Sequence, residues 1–247
     1  MLKQKAMTIF KTATKKNQGY FLGLILALIS ITLLASCNKN DDDELVEPSF
    51  SNLKIVHSLP SHSTLDFYWD GELLTRQALS YGQSAGYGGV FTGNHQIDVV
   101  PGGTLTSISR KVYNLEEDAF YTLFVSKVSA TNDSVTTVFT KDDLSAPPTG
   151  KAKVRFVHLS QNAPNLDLAI QGGATLFPDK IFNSFTEFTA IDPGAYVFQL
   201  KDAGTANVRA SSAQAVTISA GKIYTIWAEG LVNGVDPVDL DVQVMEN

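Results

Sequence analysis

Two stretches of this chain repeat each other at long range, and that repetition limits what it can fold into. Leu53-Lys54-Ile55-Val56-His57 opens one half and Val154-Arg155-Phe156-Val157-His158 opens the other. From each histidine the spacing is the same: His57 to Leu65-Asp66 to Gly71, and His158 to Leu166-Asp167 to Gly172. The match continues through Tyr81 and Tyr87 against Phe182 and Phe188, and Gly93 against Gly194. After a two-residue slip, Phe120-Tyr121-Thr122-Leu123-Phe124 aligns with Ile223-Tyr224-Thr225-Ile226-Trp227. A period this long indicates two whole domains, not a solenoid of small units. Within each half the apolar residues alternate with polar ones, as in Leu65, Phe67 and Trp69 against Asp66, Tyr68 and Asp70. Asp70-Gly71 and Asp192-Pro193-Gly194 read as tight turns. No segment after the N-terminal apolar run keeps a 3.6-residue apolar period. Many short strands at this spacing predict an all-β chain of two tandem antiparallel β-sandwiches, immunoglobulin-like or similar. Their expected spans are residues 51–146 and 151–247, joined by a linker at 147–150 that contains Pro148.

The second half carries a more specific resemblance. Val154-Arg155-Phe156-Val157-His158-Leu159-Ser160, then Ala163-Pro164-Asn165-Leu166-Asp167, resembles the opening motif of the domain of unknown function 4397 family. The Pro-Gly-Ala-Tyr turn at 193–196 and Ala-Gly-Lys-Ile-Tyr-Thr at 220–225 extend the resemblance over nearly all of that half. The first half departs from it: Ser61-His62-Ser63-Thr64 replaces Asn-Ala-Pro-Asn, and Glu117-Asp118-Ala119 replaces Ala-Gly-Lys. The resemblance implies exported all-β modules, often anchored or repeated, with no established catalysis.

The N-terminus has the three parts of a secretory signal. Lys3, Lys5, Lys11, Lys15 and Lys16 form a basic region without acids, and Phe21 to Leu34 is apolar. That run is shorter than the ~20 residues a membrane-spanning helix needs. Leu34-Ala35-Ser36-Cys37 resembles a lipobox, with cleavage between Ser36 and Cys37 and lipid on the sulfur of Cys37. Two acyl chains anchor stably where one is marginal. Residues 37–50 then read as an acidic tether. Within it, Asp41, Asp42, Asp43 and Glu44 resemble the export signal of Bacteroidota lipoproteins displayed outside the cell. The expected location is the outer membrane, exposed on the surface.

Losing the five signal lysines takes the net charge from −6 to −11. So acidic a chain argues against nucleic acid as a partner. With its single cysteine committed to lipid, the body has no disulfide and relies on apolar cores.

No catalytic constellation stands out. His57 and His158 each precede an aspartate by nine residues, yet an active site is seldom needed twice while a fold constraint always is. There is no G-x-S-x-G nucleophile stretch. The four histidines, at 57, 62, 95 and 158, lack metal-ligand spacing. Gly82 to Gly89 is glycine-rich without a following lysine, and reads as a flexible inter-strand loop. The expected protein is not an enzyme and needs no metal or cofactor. Aromatic side chains are the better binding material. Tyr68, of opposite parity to Phe67 and Trp69, and Tyr87 are the candidate ligand-binding residues. Asp133-Ser134-Val135 resembles a Bacteroidota O-glycan acceptor at Ser134. The pattern points to the membrane as partner through Cys37, and to an extracellular glycan or protein bound by the body. The alternatives are a structural envelope component or, less favoured, a glycan hydrolase.

Overall fold

A computed structural model describes residues 47–129, 131–235 and 237–247. Ser36, Cys37, Asp41, Asp42, Asp43 and Glu44, expected to serve cleavage, lipidation and export, lie outside the described residues.

The alternation seen in the sequence builds strands throughout. The first lobe holds β1 (Phe50–His57), β2 (Thr64–Trp69), β3 (Glu72–Leu73), β4 (Leu79–Ser80), β5 (Ser84–Phe91), β6 (Gly93–Pro101), β7 (Ser109–Leu115), β8 (Phe120–Ser129) and β9 (Asn132–Lys141). One sheet runs β5-β1-β8-β9 and the other β3-β2-β6-β7, with β4 also paired to β2. Leu53, Ile55, Leu65, Phe67, Ile97 and Leu123 point between them and form the core. The second lobe holds β10 (Ala152–His158), β11 (Leu166–Ile170), β12 (Thr175–Lys180), β13 (Thr189–Ile191), β14 (Gly194–Tyr196), β15 (Phe198–Asp202), β16 (Val208–Ser211), β17 (Val216–Ile218), β18 (Ile223–Glu229) and β19 (Asp241–Glu246). Its sheets run β13-β10-β18-β19 and β12-β11-β15-β16, with β14 and β17 as a separate pair. Val154, Phe156, Leu168, Phe198, Leu200 and Ile226 fill the space between. Both lobes are therefore β-sandwiches.

The spacing repeat has a physical counterpart in the hydrogen bonds. Gly82 and Asn183 both sit at positive φ and both donate N–H to the carbonyl of their lobe's histidine, His57 or His158. The Tyr121 hydroxyl accepts from the N–H of Glu116 (3.2 Å), as that of Tyr224 does from Ser219 (3.1 Å). The tight turn at Asp70-Gly71 joins β2 to β3 with positive φ at both residues. That is the two-residue hairpin geometry that matches strand twist.

Two expectations need correction. The sheets are not purely antiparallel: β1 pairs β8 in parallel, and β10 pairs β18 in parallel. Alternation fixes which face a residue takes but not strand direction. Only short hairpins force antiparallel neighbours, and six strands separate β1 from β8. The glycine-rich stretch is not a loop over most of its length, because β5 pairs with β1 along an edge. Gly86, Gly88 and Gly89 have open space where a Cβ would stand. The register shifts between Leu53 and Ile55, the kind of edge irregularity at which strand glycines occur.

The lobes meet through their β1- and β10-containing sheets. A third apolar cluster, with Val56, Phe124, Val138, Val157, Leu159 and Trp227, lies between them. Beside it Arg155 donates through Nη1 to Asp142 Oδ1 (2.6 Å), both residues almost wholly buried. Thr122 and Tyr87 donate to Asp142 Oδ2. Residues 48–247 thus form a single unit.

Three buried titratable groups set a pH dependence. Burial pushes His57 and His158 down to about 4, so between pH 6.5 and 4 only the unfolded chain takes up those protons. Stability falls on acidification through that window, by ~3 kcal/mol per histidine. Glu229 runs the other way. Burial, with repulsion from Asp241, pushes it up to about 7 against the Trp227 hydrogen bond. Between pH 4.5 and 7 the folded state alone keeps that proton, so stability is lost as pH rises through 7. The urea midpoint of residues 38–247 should fall steeply from pH 6.5 to 4. Glu229→Gln should be the more stable chain at pH 8, by ~3 kcal/mol. Denaturation series at three pH values check both signs.

Candidate binding face

The alternation of β2 decides where this face lies. Leu65 and Phe67 turn inward and are fully buried, so Asp66 and Tyr68 turn outward. Register places Tyr68 between Leu73 on β3 and Asp98 on β6, and Asp98 next to Arg110 on β7. The row Leu73, Tyr68, Asp98, Arg110 therefore crosses the outer sheet from edge to edge. A cavity of about 200 Å³ sits over it, walled by Tyr68, Gly71, Asp98, Val100, Leu105 and Arg110. Leu105 is 93% exposed.

The polar groups are fixed before any ligand arrives. Asp98 accepts from Arg110 Nε at Oδ1 (2.5 Å) and from Gln96 Nε2 at Oδ2 (2.8 Å). Burial opposes its charge, but hydrogen bonds from Arg110, Gln96 and Ser107 outweigh it and hold the carboxyl below the usual range. Arg110 leaves its other nitrogens toward solvent, its side chain being 64% exposed. The arrangement presents an aromatic ring beside a charged donor and an anchored carboxylate, which suits a ligand with both an apolar face and hydroxyls.

The neighbouring turn is braced by a histidine. His95 Nδ1 lies 2.5 Å from Asp70 Oδ2 and its Nε2 lies 2.9 Å from the Thr92 carbonyl. Two acceptors around one ring are satisfied together only by imidazolium. Burial lowers its pKa, yet those two bonds raise it net above the ordinary value. The ring stacks on Trp69 at 4.5 Å.

The equivalent face of the second lobe is closed. Ala169 stands where Tyr68 stands and is fully buried. Asp167, the counterpart of Asp66, accepts from the N–H groups of Asp179 (2.7 Å) and Gly204 (3.1 Å) and clamps two loops.

The other sequence candidates fall elsewhere. The ring of Tyr87 lies beneath Lys54 Nζ (4.3 Å) and its hydroxyl donates to Asp142 (2.6 Å), so it belongs to the seam between lobes. Ser134 is exposed at the start of β9, its N–H bonded to Asn132 Oδ1 (2.8 Å). Neither histidine meets its aspartate. His57 Nδ1 accepts from the Leu59 N–H (3.3 Å), and His158 Nε2 donates to the Pro164 carbonyl (3.1 Å). Each ring has an aromatic edge-on to it, Tyr81 and Phe182 respectively. Among the described residues no group of three His, Cys, Asp or Glu side chains is placed to hold a metal. The sequence reading missed Asp98, Arg110 and Leu105, which become neighbours of Tyr68 only once register is known.

Residues 51–169 match the family described as Domain of unknown function (DUF4397). The match covers the first lobe and only the opening strands of the second. No curated protein matches the chain. A solved structure, the Bacillus anthracis TIE protein, aligns with 73% of this chain at 11% identity and a TM-score of 0.24. The aligned part spans about a third (34%) of that structure's own length.

His95 yields a direct measurement. Its pKa, followed by two-dimensional NMR of the ring, should lie above 6.5, and Asp70→Asn should bring it down. Because the folded value is raised, the brace contributes fully below pH 6.5 and is lost as pH rises through the folded pKa.

Proposed function

We propose that this protein is a lipid-anchored, surface-exposed binding protein whose first lobe presents the Tyr68 face to an extracellular glycan. The single observation that carries the reading is the pre-set row of Tyr68, Asp98 and Arg110 around an open cavity of about 200 Å³. A sugar ring stacks its C–H face on tyrosine and exchanges hydroxyl hydrogen bonds with a carboxylate and a guanidinium. The anchor rests on the lipobox-like Leu34 to Cys37, and the surface location on the acidic run after it. Two tandem copies of the family module are supported by the recurring hydrogen bonds around His57 and His158. The second copy then supports the first instead of binding, since Ala169 closes its face.

A second reading, assembly with an envelope protein, draws on the exposed stacked pair Phe50 and Phe91 (5.1 Å) near Leu73. Such an apolar group is the usual mark of a protein contact.

Residues 38–247, screened on a glycan array, should bind a subset of glycans. Tyr68→Ala should weaken that binding at least ~10-fold, equivalent to ~1.4 kcal/mol, with the thermal midpoint unchanged. Phe91→Ser should leave it intact. Silence on the array, or equal binding by Tyr68→Ala, removes the glycan reading and leaves the assembly reading ahead. Protease shaving of intact cells tests the location separately.

A further inference from the structure

The seam between the lobes has a symmetry that its individual contacts conceal. Register makes Lys54 and Thr122 neighbours in the first lobe, as Arg155 and Thr225 are in the second. Register likewise places Lys141 opposite Tyr121 and Glu246 opposite Tyr224, so the following residues, Asp142 and Asn247, correspond. By the same spacing Gly82 corresponds to Asn183, Tyr87 to Phe188, Phe124 to Trp227, and Ser126 to Glu229.

Across the seam these positions meet reciprocally. Arg155 donates to Asp142 (2.6 Å), and Lys54 donates to Asn247 Oδ1 (3.3 Å). Within its own lobe each cation is seated alike, Arg155 over the Phe188 ring (4.7 Å) and Lys54 over that of Tyr87 (4.3 Å). Within each lobe, too, Thr122 donates to Asp142 and Thr225 donates to Asn247. Asn183 accepts from Ser126 Oγ (2.7 Å), and Gly82 faces the counterpart of Ser126, the carboxylate of Glu229. Phe124 and Trp227, counterparts of one another, touch with ring centroids 6.4 Å apart. When i meets j′ and j meets i′, the contact is isologous, the pattern of a two-fold dimer.

We infer that the seam is a self-complementary docking surface, so that the partner each lobe's inner sheet fits is a second copy of the same module, supplied here by the other half of the chain. Substitutions at paired positions select the unlike pair. Two second lobes would bring Asn183 against Glu229, where this chain has Gly82 with room of only 3.3 Å between a Cβ and the carboxylate. They would also set Arg155 against Asn247 twice, with no acid for either guanidinium. Two first lobes would forfeit the Asn183 hydrogen bonds to Ser126 and Lys127.

The test is a protease site inserted between Leu144 and Gly150 of residues 38–247, with the cut protein followed by native mass spectrometry. The cut wild-type halves should stay together as a one-to-one unlike pair. With Asn183→Gly, Glu229→Ser and Asn247→Asp, which give the second lobe the first lobe's residues at these three positions, pairs of two second halves should also appear. Halves that separate when cut, or a triple variant that forms no like pair, would overturn the inference. Asn247→Asp in the uncut chain is an independent check that needs no separated lobe. It gives Lys54 the acid that the symmetry assigns it. The Lys54 pKa, which burial holds at about 8, should rise toward its ordinary value and the urea midpoint should increase. No change in either counts against the symmetry.

Discussion

The Arg155 to Asp142 ion pair is the contact on which the arrangement of the molecule depends. Neither charge has water to turn to, and each is satisfied by groups from the opposite lobe and, within its own, by flanking threonines and, for Asp142, Tyr87. Removing one partner of such a pair strands the other and costs ~3–5 kcal/mol. The pair also has a single geometry, because Thr140 and Thr225 hold the guanidinium from two sides. An apolar seam alone would tolerate sliding. The buried pair fixes the lobes in register, and Phe124 and Trp227 then pack where that register puts them.

With the inner-sheet faces around Phe124 and Trp227 consumed by the seam, the outer sheets remain free to meet other molecules. There the two halves have diverged. The second lobe spends its equivalent positions on itself, burying Ala169 and using Asp167 to hold loops. The first lobe keeps Tyr68 and the Asp98–Arg110 pair facing out. The histidine and tyrosine that hold each lobe's turns are the same in both, while the positions that could touch a ligand differ.

How much of this was legible follows from what each signal encodes. The repeat and the alternation around Leu65 to Trp69 report burial, so the sandwiches and the outward turn of Tyr68 could be read directly. The parallel pairing of β1 with β8 could not, because alternation is the same in either direction. The seam was hidden for a different reason. Lys54, Thr122, Asp142 and Arg155 are polar, and polar residues at alternate positions read as a solvated face; only the partner sheet makes them interior. Asp98 and Arg110 were missed because they lie far from Tyr68 along the chain, and cross-strand register alone joins them. The glycines of β5 misled because edge strands tolerate residues that loops favour.

The parallel ladder between β1 and β8 has a mechanical consequence. The chain enters the body at β1, so any pull on the N-terminus acts along that strand. Six successive pairings, from Asn52 with Phe120 to His57 with Val125, lie in line with the force. They share the load in shear and do not open one at a time like a zip. The Tyr68 face sits on the same lobe. A load between the N-terminal end and that face would be carried by the first lobe, leaving the second outside the force path as a buttress at its back.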